Sequence, residues 1–313
     1  MLAILGASGK IGGATLDALL SRNLIPKDQI VALTSSQSDS EKWKSLSAQC
    51  IQVRHATFDS PSSMDSALKG ITKLFLVSSP RINLDYDPIV PAPPGQGREK
   101  DHFVVLDAAQ KAGVKHIYYT SLAFANPSKS NVMTAHERTE ERLRELEGRG
   151  VFEVTILREG LYNESWPLYL GYFAPGKDER EEIVLADDGD RKLSWTAIAD
   201  LGVANAMILA DNGEKWKGRC VYLSRRDGPR SMREVAKAVH PELSVKSVSA
   251  EEHVKHYVAR GMEENAVRWW VATYEAIKDG ECLIDDPTFD ELMKRAKLKP
   301  TAVTETIASM LGS

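Results

Sequence analysis

Short apolar runs alternate with helical patterns along the first half of the chain. Runs of four mostly apolar residues occur at 2–5, 30–33, 74–77, 116–119 and 154–157. Stretches with helical periodicity lie between them, at 13–22, 62–68, 99–112 and 135–147. Runs that are apolar on both faces are typical of a parallel sheet that helices cover on both sides. The alternation predicts an α/β fold with a doubly wound parallel sheet of Rossmann type.

A glycine-rich turn follows the first apolar run, where Gly6, Gly9 and Gly12 have G-x-x-G-x-x-G spacing. Gly6 allows a tight turn, Gly9 lets the backbone approach a pyrophosphate, and Gly12 lets the following helix pack close to the strand. The N-terminus of the following helix offers unpaired N–H groups to phosphates. The alternative to phosphate binding is a glycine turn that only connects the strand to the helix. Dinucleotide binding is the better interpretation, and the predicted contacts are Gly6, Ser8, Gly9, Lys10 and Ile11.

The end of the second apolar run bears on the choice between NADP(H) and NAD(H). An NAD-preferring site would place a carboxylate there for the ribose 2′-hydroxyl, but this run ends in Thr34, Ser35 and Ser36. These hydroxyls, with Lys42 or Lys44, suit a 2′-phosphate. The sequence therefore favours NADP(H), with NAD(H) as the alternative, although each serine taken singly is as compatible with an ordinary solvated loop.

The alternation of apolar runs and helical patterns ends after Arg158. Residues 160–192 are loop-like and rich in aromatic side chains, 195–210 predict a short strand and a helix, and 220–224 predict a last sheet strand. Helices dominate from Asp227 onward. We therefore expect a dinucleotide-binding domain over 1–159, to which 193–224 return, and a smaller, mostly helical C-terminal substrate lobe formed by 160–192 and 225–313.

The segment 80–97 begins with Pro80 and contains four more prolines, Pro88, Pro91, Pro93 and Pro94. Proline fixes φ and lacks a backbone donor, so this segment is predicted to be neither helix nor central strand. Two interpretations stay open, a long ordered loop over a site and a flexible flap.

Charge and cysteine content narrow the possible partners. The formal net charge is -4, from 40 basic and 44 acidic residues spread along the chain, so no cationic field favours nucleic acid or a membrane surface. Cys50, Cys220 and Cys282 have no disulfide or zinc spacing, so no metal site is expected. Without a signal sequence or an apolar stretch of membrane-spanning length, we expect a cytoplasmic protein.

Three further segments carry a family resemblance. They are residues 118–122 (YYTSL), 136–140 (HERTE) and 155–164 (TILREGLYNE). Together with the glycine turn and residues 108–116 and 289–292, they resemble the NmrA-like atypical short-chain dehydrogenase/reductases over nearly the whole chain. Within that group the similarity is greatest to the type-2 NAD(P)H:quinone oxidoreductases.

The resemblance implies roles for individual residues. It places Thr34 to Ser36 at the adenosine ribose, where Ser35 replaces the usual arginine, and Thr57 and Phe58 beside the adenine. It places Ser78, Ser79 and Pro80 along the nicotinamide half. Glu159, Gly160, Leu161 and Tyr162 would lie near the nicotinamide ring, with Tyr162 facing the substrate.

Related enzymes use a tyrosine and a lysine four residues apart to protonate the substrate and hold the nicotinamide ribose. The resemblance puts Val132 at the tyrosine position and His136 at the lysine position, so the usual acid is missing. Helical spacing places His136, Glu140 and Leu143 on one face, with Glu140 able to orient the histidine. His136 and Tyr162 are the catalytic candidates, although a histidine merely satisfied at a helix start remains the alternative.

Other aromatic and histidine positions have a structural and a functional interpretation. His253 and His256 are spaced for a metal, but a solvated helix face is favoured because no third ligand is evident. Trp166, Tyr169, Tyr172 and Phe173 suit either a planar substrate or the core. The core is favoured for Trp269, Trp270 and Tyr274, with a substrate-pocket wall as the alternative.

Two classes of function fit these features. The first is an NADPH-dependent oxidoreductase that transfers hydride to a conjugated or aromatic small molecule such as a quinone, enone or imine, with a tailoring enzyme of secondary metabolism as a narrower version. The second is a redox-sensing regulator that binds the dinucleotide without turnover and signals to a protein partner. The missing tyrosine argues against an ordinary carbonyl reductase but does not exclude hydride transfer.

Overall fold

Strands and helices alternate through the first half of the chain, as the apolar pattern predicts. The computed structural model describes residues 1–312. In chain order the first half contains β1 (Leu2–Leu5), α1 (Lys10–Ser21), β2 (Ile30–Thr34), α2 (Glu41–Ser47), β3 (Gln52–His55), α3 (Pro61–Ala67), β4 (Lys73–Leu76), α4 (Glu99–Ala112), β5 (His116–Leu122), α5 (Thr134–Gly148) and β6 (Glu153–Glu159).

The second half contains more short elements. They are β7 (Leu161–Tyr162), α6 (Trp166–Tyr169), β8 (Glu182–Leu185), β9 (Lys192–Leu193), β10 (Trp195–Thr196), α7 (Ile198–Ala210), β11 (Arg219–Leu223), β12 (Arg230–Ser231), α8 (Met232–Val239), β13 (Ser244–Ser247), α9 (Ala250–Val258), α10 (Glu264–Lys278), α11 (Thr288–Ala296) and α12 (Val303–Leu311). The C-terminal region is therefore mostly helical.

Seven strands form one sheet in the order β3-β2-β1-β4-β5-β6-β11, and each pair of neighbours is parallel. The chain proceeds outward from β1 to β3 and then returns to add β4 on the other side of β1. This reversal is the switch point of a doubly wound sheet, which opens a crevice at the carboxyl ends of β1 and β4. The predicted fold class is confirmed.

Helices cover both faces of this sheet and bury its central strands. Every residue of β1 and β2 is buried. On one face α1 packs against α7 so closely that a Cβ on Gly202 would lie 2.6 Å from backbone atoms of Ala14. On the other face, Leu106 of α4 and Leu143 of α5 belong to a second core. Cover on both faces explains why these strands are continuous apolar runs.

Two elements of the first half lie outside the predicted set. Strand β3 forms the edge of the sheet, and its residue Gln52 is exposed while Val53, Arg54 and His55 are half-buried. An edge strand pairs on one side only and needs no apolar run. Helix α2 is short, and its first turn is capped by the Ser40 hydroxyl, which accepts the N–H of Trp43 at 3.2 Å.

The second half both completes the sheet and builds a separate core. Strand β11 adds the last strand, as predicted, and three small sheets pair β7 with β10, β9 with β12 and β8 with β13. A core outside the main sheet contains Trp166, Tyr169, Trp269, Trp270 and Tyr274, so the core interpretation of Trp269, Trp270 and Tyr274 is confirmed. Helix α11 returns to α7 and β11. How the chain divides into functional domains stays a prediction.

The proline-rich segment forms no α-helix or strand within the described chain, only a 3-10 turn at Ile82–Asp85. A buried ion pair closes it, with 2.7 Å between Arg98 Nε and Asp85 Oδ2. Arg138 Nη1 donates to the carbonyl oxygens of Ala92 and Pro93 at 3.0 and 3.3 Å. These contacts favour the ordered-loop interpretation over the flap.

Candidate functional site

The glycine turn lies at the switch point, between β1 and α1. Gly6 has a φ of +81°, a conformation that L side chains rarely adopt. Its N–H donates to the carbonyl oxygen of Leu33 at 3.2 Å, and its own carbonyl accepts the N–H of Gly9 at 2.8 Å. A Cβ on Gly12 would lie 2.2 Å from that same carbonyl oxygen. The sequence therefore needs glycine at position 12 for α1 to approach β1, as predicted.

The first turn of α1 presents unpaired backbone donors to the crevice. Gly9 precedes the helix, no side chain of residues 1–312 caps this end, and the first turn of α1 has no acidic residue. The N–H groups of Lys10, Ile11 and Gly12 have no carbonyl one turn back within the helix. Uncapped donors with the positive end of the helix dipole favour an anionic group.

A cleft of about 520 Å³ opens over this turn. It crosses the switch point from the residues after β2 and β3 to the residues after β4 and β6. Its lining comprises Leu5, Gly6, Ser8, Gly9, Lys10, Ile11, Thr34, Ser35, Lys42, Ala56, Phe58, Met64, Val77, Ser78, Pro80 and Tyr162. Pockets for small molecules and cofactors typically measure about 300–1,000 Å³, so this cleft suits a bound cofactor.

Two other clefts, of about 560 and 670 Å³, lie elsewhere on the molecule. Each has an ion pair between charged side chains of its wall. In the first, Lys217 lies 2.7 Å from Glu214 and 3.2 Å from Glu153, and in the second Arg158 lies 2.6 Å from Glu140. Neither cleft includes the glycine turn, so the cleft at the switch point is the better candidate.

Hydroxyl groups and an aromatic ring form the end of the cleft beyond β2 and β3. The hydroxyl oxygens of Ser8 and Thr34 lie 2.9 Å apart, and the N–H of Ser36 donates to the Thr34 hydroxyl at 3.1 Å. The guanidinium carbon of Arg81 lies 5.6 Å from the centroid of the Phe58 ring. Arg81 is itself held by Asp101 and Asp59. This end therefore offers an aromatic surface whose position is fixed by ion pairs.

Two lysines give the cleft its charge. Lys10 and Lys42 line it and form no ion pair with any residue in 1–312, and no carboxylate of that range lines it. Lys44 lies outside the lining, and its Nζ pairs with Glu41 at 3.0 Å. Of the two lysines suggested for a 2′-phosphate, Lys42 is thus the one in position. An uncompensated positive charge in a cleft attracts anions.

A buried histidine fixes the loop after β4 at the other end of the cleft. His102 Nε2 accepts the N–H of Ser79 at 2.9 Å, and its Nδ1 lies 2.7 Å from the Thr139 hydroxyl. Burial lowers the pKa of His102 to about 3, so the ring is neutral, with its proton on Nδ1. The Ser78 N–H donates to the Thr120 hydroxyl at 2.9 Å. These bonds hold the backbone of Ser78 and Ser79 in place beside the cleft.

The catalytic candidate His136 lies behind this wall rather than in it. Its Nδ1 is 3.0 Å from the hydroxyl oxygen of Tyr119. Burial and the nearby Arg98 lower the pKa of His136 well below its usual value, so the ring is neutral. Glu140 does not orient it, because both carboxylate oxygens of Glu140 bind Arg158, at 3.0 and 2.6 Å. The expected His136–Glu140 contact is therefore wrong, since Arg158 competes for the carboxylate.

Tyr162 lines the cleft, and its hydroxyl donates to Glu159 Oε2 at 2.7 Å. Gly160 serves packing, because a Cβ there would lie 2.4 Å from the Thr196 hydroxyl. Leu161 is buried in the core outside the main sheet. The bond between the tyrosine and the buried carboxyl fixes the position of the ring.

The family is decided by the length of chain that one family model matches, residues 1–304, under the description NmrA-like family. The chain belongs to the NmrA-like family. The resemblance inferred from sequence motifs is confirmed.

Among relatives of this NmrA-like protein is quinone oxidoreductase 2 of Escherichia coli, 34% identical over 217 residues. Another is the NmrA-like family domain-containing oxidoreductase flvB of Aspergillus flavus, 29% identical over 224 residues. The aligned regions cover 69% and 71% of this chain, and 66% and 64% of the respective relatives, just under two thirds of their length.

Solved structures match over the whole length. The NADPH-dependent quinone oxidoreductase of Escherichia coli complexed with NADPH has a TM-score of 0.79 and 25% identity, with 99% of each chain covered. The triphenylmethane reductase of Citrobacter complexed with NADP(H) has a TM-score of 0.79 and 26% identity, covering 99% of this chain and 100% of that one.

The cleft of this NmrA-like protein contains most of the residues predicted for a cofactor. Those that line it are Gly6, Ser8, Gly9, Lys10, Ile11, Thr34, Ser35, Phe58, Ser78, Pro80 and Tyr162. Those outside the lining are Ser36, Thr57, Ser79, His136, Gly160 and Leu161. Contact of any of them with a cofactor stays a prediction. Ala56 and Met64 also line the cleft and were not predicted; they follow the edge strand β3, which the apolar pattern did not indicate.

Two remaining interpretations are changed by burial. His253 is fully buried, so the expected solvated helix face is wrong for it. Within residues 1–312 no group of three or more side chains is placed to hold a metal ion, and no helix is long and apolar enough to cross a membrane. Trp166, Tyr169 and Phe173 are buried in the core outside the main sheet, which favours packing over substrate stacking for these three.

Proposed function

We propose that this protein binds NADPH and transfers its hydride to a conjugated acceptor such as a quinone, enone or imine. The observation that carries the proposal is the positive charge of the cleft. Lys10 and Lys42 line it together with the glycine turn and form no ion pair within residues 1–312, and no carboxylate of that range lines it. Both relatives above are named oxidoreductases, and both solved structures contain NADPH or NADP(H). A dinucleotide with an additional phosphate fits such a cleft better than one without it.

The residues present fit the cofactor along the whole cleft. The N–H groups of the first turn of α1 would bind the pyrophosphate, and Gly9 leaves room for it. Lys42 and Ser35 would bind the 2′-phosphate, while the Phe58 ring would contact the adenine. Ser78, Pro80 and Tyr162 would border the nicotinamide, which supplies the hydride when bound. NAD(H) lacks the group that Lys42 would bind and is the weaker ligand.

The position of Val132 supports a conjugated acceptor. Val132 lies in a 3-10 turn before α5, and its carbonyl oxygen accepts a hydrogen bond from Arg98 Nη2 at 3.1 Å. A valine side chain cannot donate the proton that an isolated carbonyl needs at its oxygen. Conjugated acceptors spread the incoming negative charge over several atoms and so depend less on a strong acid. A tailoring role in secondary metabolism is a narrower form of the same proposal. The proposed location of the protein is the cytoplasm.

Affinity and single-turnover measurements test this proposal. We expect calorimetry to show tighter binding of NADPH than of NADH, and rapid mixing with a panel of quinones and enones to show loss of the reduced-nicotinamide absorbance. Equal affinities, or a preference for NADH, would contradict the cofactor assignment. Firm NADPH binding without oxidation by any acceptor would favour instead a redox-sensing regulator with a protein partner.

A further inference from the structure

A carboxyl group lies directly beneath the tyrosine that lines the cleft. Glu159 is the last residue of β6 and is fully buried. Its Oε2 accepts the Tyr162 hydroxyl at 2.7 Å, and its Oε1 accepts the side-chain N–H of Asn205 at 2.7 Å. Tyr162 therefore connects the cleft on one side with a carboxyl group that has no contact with solvent on the other.

The surroundings of Glu159 contain no cation to balance a negative charge. Its neighbour on α7 is Asn205, whose side-chain nitrogen also lies 3.5 Å from the Thr15 hydroxyl of α1. Its titratable neighbour is Tyr162. Burial raises the pKa of Glu159 to about 7, against the two hydrogen bonds that lower it. Burial, with the neighbouring Glu159, Tyr169 and Glu164, raises the pKa of Tyr162 well above its usual value. Near neutral pH the carboxyl group is thus present in both protonation states.

A purely structural role does not require this arrangement. A glutamine could accept the Asn205 N–H through its oxygen and donate its own N–H to the Tyr162 oxygen, without the cost of burying an ionisable group. In this protein the carboxyl instead adjoins a phenol in the cleft, and the position at which related enzymes have an acidic tyrosine is occupied by Val132. The cleft therefore contains a phenol that can donate a proton, whereas the position of the usual acid holds a valine.

We infer that Tyr162 and Glu159 form a proton relay, in which Tyr162 protonates the reduced acceptor and Glu159 restores the proton to Tyr162. This inference rests on the proposed function, because it needs an acceptor beside Tyr162. Tyr162 is the catalytic residue of the pair. Glu159 acts through it and does not touch the acceptor.

The relay balances atoms and charge. The acceptor gains two electrons and one hydrogen nucleus as hydride from NADPH, which leaves as NADP⁺, and a negative charge develops on the acceptor oxygen. The O–H bond of Tyr162 breaks, and its proton bonds to that oxygen. The carboxyl proton of Glu159 then moves to the phenolate oxygen of Tyr162. After product leaves, a proton from solvent in the cleft bonds to the Tyr162 oxygen while the phenol proton moves to the Glu159 carboxylate, so both groups regain their starting protonation states.

The protonation state of Glu159 decides where the Tyr162 hydrogen points. When the carboxylate is ionised, it accepts the phenol hydrogen, which is directed away from the cleft. When the carboxyl is protonated, it donates to the phenol oxygen across the same 2.7 Å and leaves the phenol hydrogen free for the acceptor. The active form is therefore the protonated one, and the rate of hydride transfer should fall as the pH rises through about 7.

Three variants test the relay by single-turnover oxidation of NADPH with a quinone across the neutral pH range. Removing a general acid costs about 10²-fold or more, so Tyr162→Phe should be slower by about 10²-fold, and weak acids in the buffer should partly restore its rate. Glu159→Gln should be about 10-fold slower and should lose the fall near neutral pH. Glu164→Gln, the matched control, removes a neighbouring carboxyl that caps α7 and should keep the wild-type pH dependence.

A measurement without cofactor tests the buried carboxyl itself. The Glu159 carboxyl has a pKa of about 7 in the folded protein and about 4.5 in the unfolded chain. Between these pH values the unfolded chain loses this proton while the folded protein keeps it, so the free energy of unfolding falls as the pH rises. The melting temperature of Glu159→Gln relative to wild type should therefore increase with pH over this range, and that of Glu164→Gln should not.

The outcomes separate the relay from the proposed function. An unchanged pH dependence in Glu159→Gln, or wild-type rates in Tyr162→Phe, would overturn the relay while leaving NADPH oxidation intact. If Glu159→Gln does not fold, the rate and buffer rescue of Tyr162→Phe decide the question. Failure of the wild-type protein to bind NADPH would instead overturn the proposed function.

Discussion

The hydroxyl oxygen of Tyr119 lies 3.0 Å from Nδ1 of His136, and both side chains are buried. Burial raises the pKa of Tyr119 and lowers that of His136, so both groups are neutral. The bond joins β5 to the first turn of α5. Tyr119 also lies next to Ser78, which borders the cleft. A neutral histidine here can accept or donate one hydrogen bond, but it cannot replace the charge of a lysine.

His136→Ala should slow hydride transfer more than it weakens NADPH binding. The phosphate and adenosine contacts are far from the substitution, whereas orientation of the nicotinamide ribose matters most in the transition state. NADPH affinity and single-turnover rates of the variant would measure the two effects. Unchanged turnover would remove His136 from the mechanism.

The same substitution should also lower stability, because it removes the hydrogen bond between His136 and the buried Tyr119 hydroxyl. The expected loss is about 1–3 kcal/mol in the free energy of unfolding. Adding Tyr119→Phe to His136→Ala removes the hydroxyl that has lost this bond and should recover part of the loss, as denaturant titrations of the single and double variants would show. Full additivity of the two changes would argue against the bond.

Gly9→Val should abolish dinucleotide binding in a protein that remains folded. Gly9 has an extended backbone that any residue adopts, and its added Cβ would meet the carbonyl oxygen of Gly6 at 3.2 Å, while the remaining methyl groups occupy space needed by the pyrophosphate. Gly12→Ala is the contrasting variant, since its Cβ would lie 2.2 Å from the same oxygen and should lower the melting temperature. Wild-type NADPH affinity in folded Gly9→Val would show that the turn is only structural.

Lys42→Gln should weaken NADPH binding by about 10-fold or more and leave NADH binding nearly unchanged, because only NADPH carries the 2′-phosphate. This estimate corresponds to about 1.5–3 kcal/mol for a hydrogen bond to a charged group. Lys44→Gln is the matched control, since Lys44 lies outside the cleft and pairs with Glu41. Calorimetric titration of both variants with both dinucleotides measures the difference, and a parallel loss for NADPH and NADH would place the phosphate elsewhere.

His253→Phe should stabilise the protein in mild acid. Neither ring nitrogen of His253 has a hydrogen-bond partner within the described chain. The neighbouring carbonyl of Val184 instead accepts the Tyr257 hydroxyl at 3.0 Å. Burial lowers the pKa of His253 to about 4, so the unfolded chain binds a proton that the folded protein does not. Stability is lost as the pH falls from about 6.5, by about 2 kcal/mol at pH 5.

Chemical denaturation at neutral and mildly acid pH would measure this effect. The difference between His253→Phe and wild type should grow toward acid pH. His256→Phe, at a half-buried position on the same helix, should show a smaller change. A difference that does not vary with pH would contradict the assignment.

The apolar pattern predicted the central sheet because strands such as Leu2–Leu5 are buried at every position, which leaves a direct record in the sequence. It could not indicate β3, whose polar residues lie at the edge of the sheet. Among the residues after β3, Phe58 was assigned to the site through the family resemblance, whereas Ala56 and Met64 were not assigned because no motif includes them.

The sequence predicted the phosphate turn because glycine spacing records a local geometry. It could not choose between Lys42 and Lys44, since that choice depends on the start of α2 at the Ser40 cap, which turns Lys44 toward Glu41. His102 and Asn205 were missed because they approach the site from α4 and α7 and belong to no motif. Arg158 likewise could not be foreseen as the partner of Glu140.

The packing of α11 onto α7 and β11 has a consequence for biosynthesis. Phe289 and Leu292 are buried in the same core as Leu16 of the first helix, and Arg295 pairs with Asp211 at 2.7 Å. The ribosome synthesises α11 after every strand of the main sheet, so a nascent chain that already contains all seven strands still exposes one apolar flank. Prematurely terminated products that lack α11 should therefore be recognised by chaperones and proteases, even though they contain the entire dinucleotide cleft.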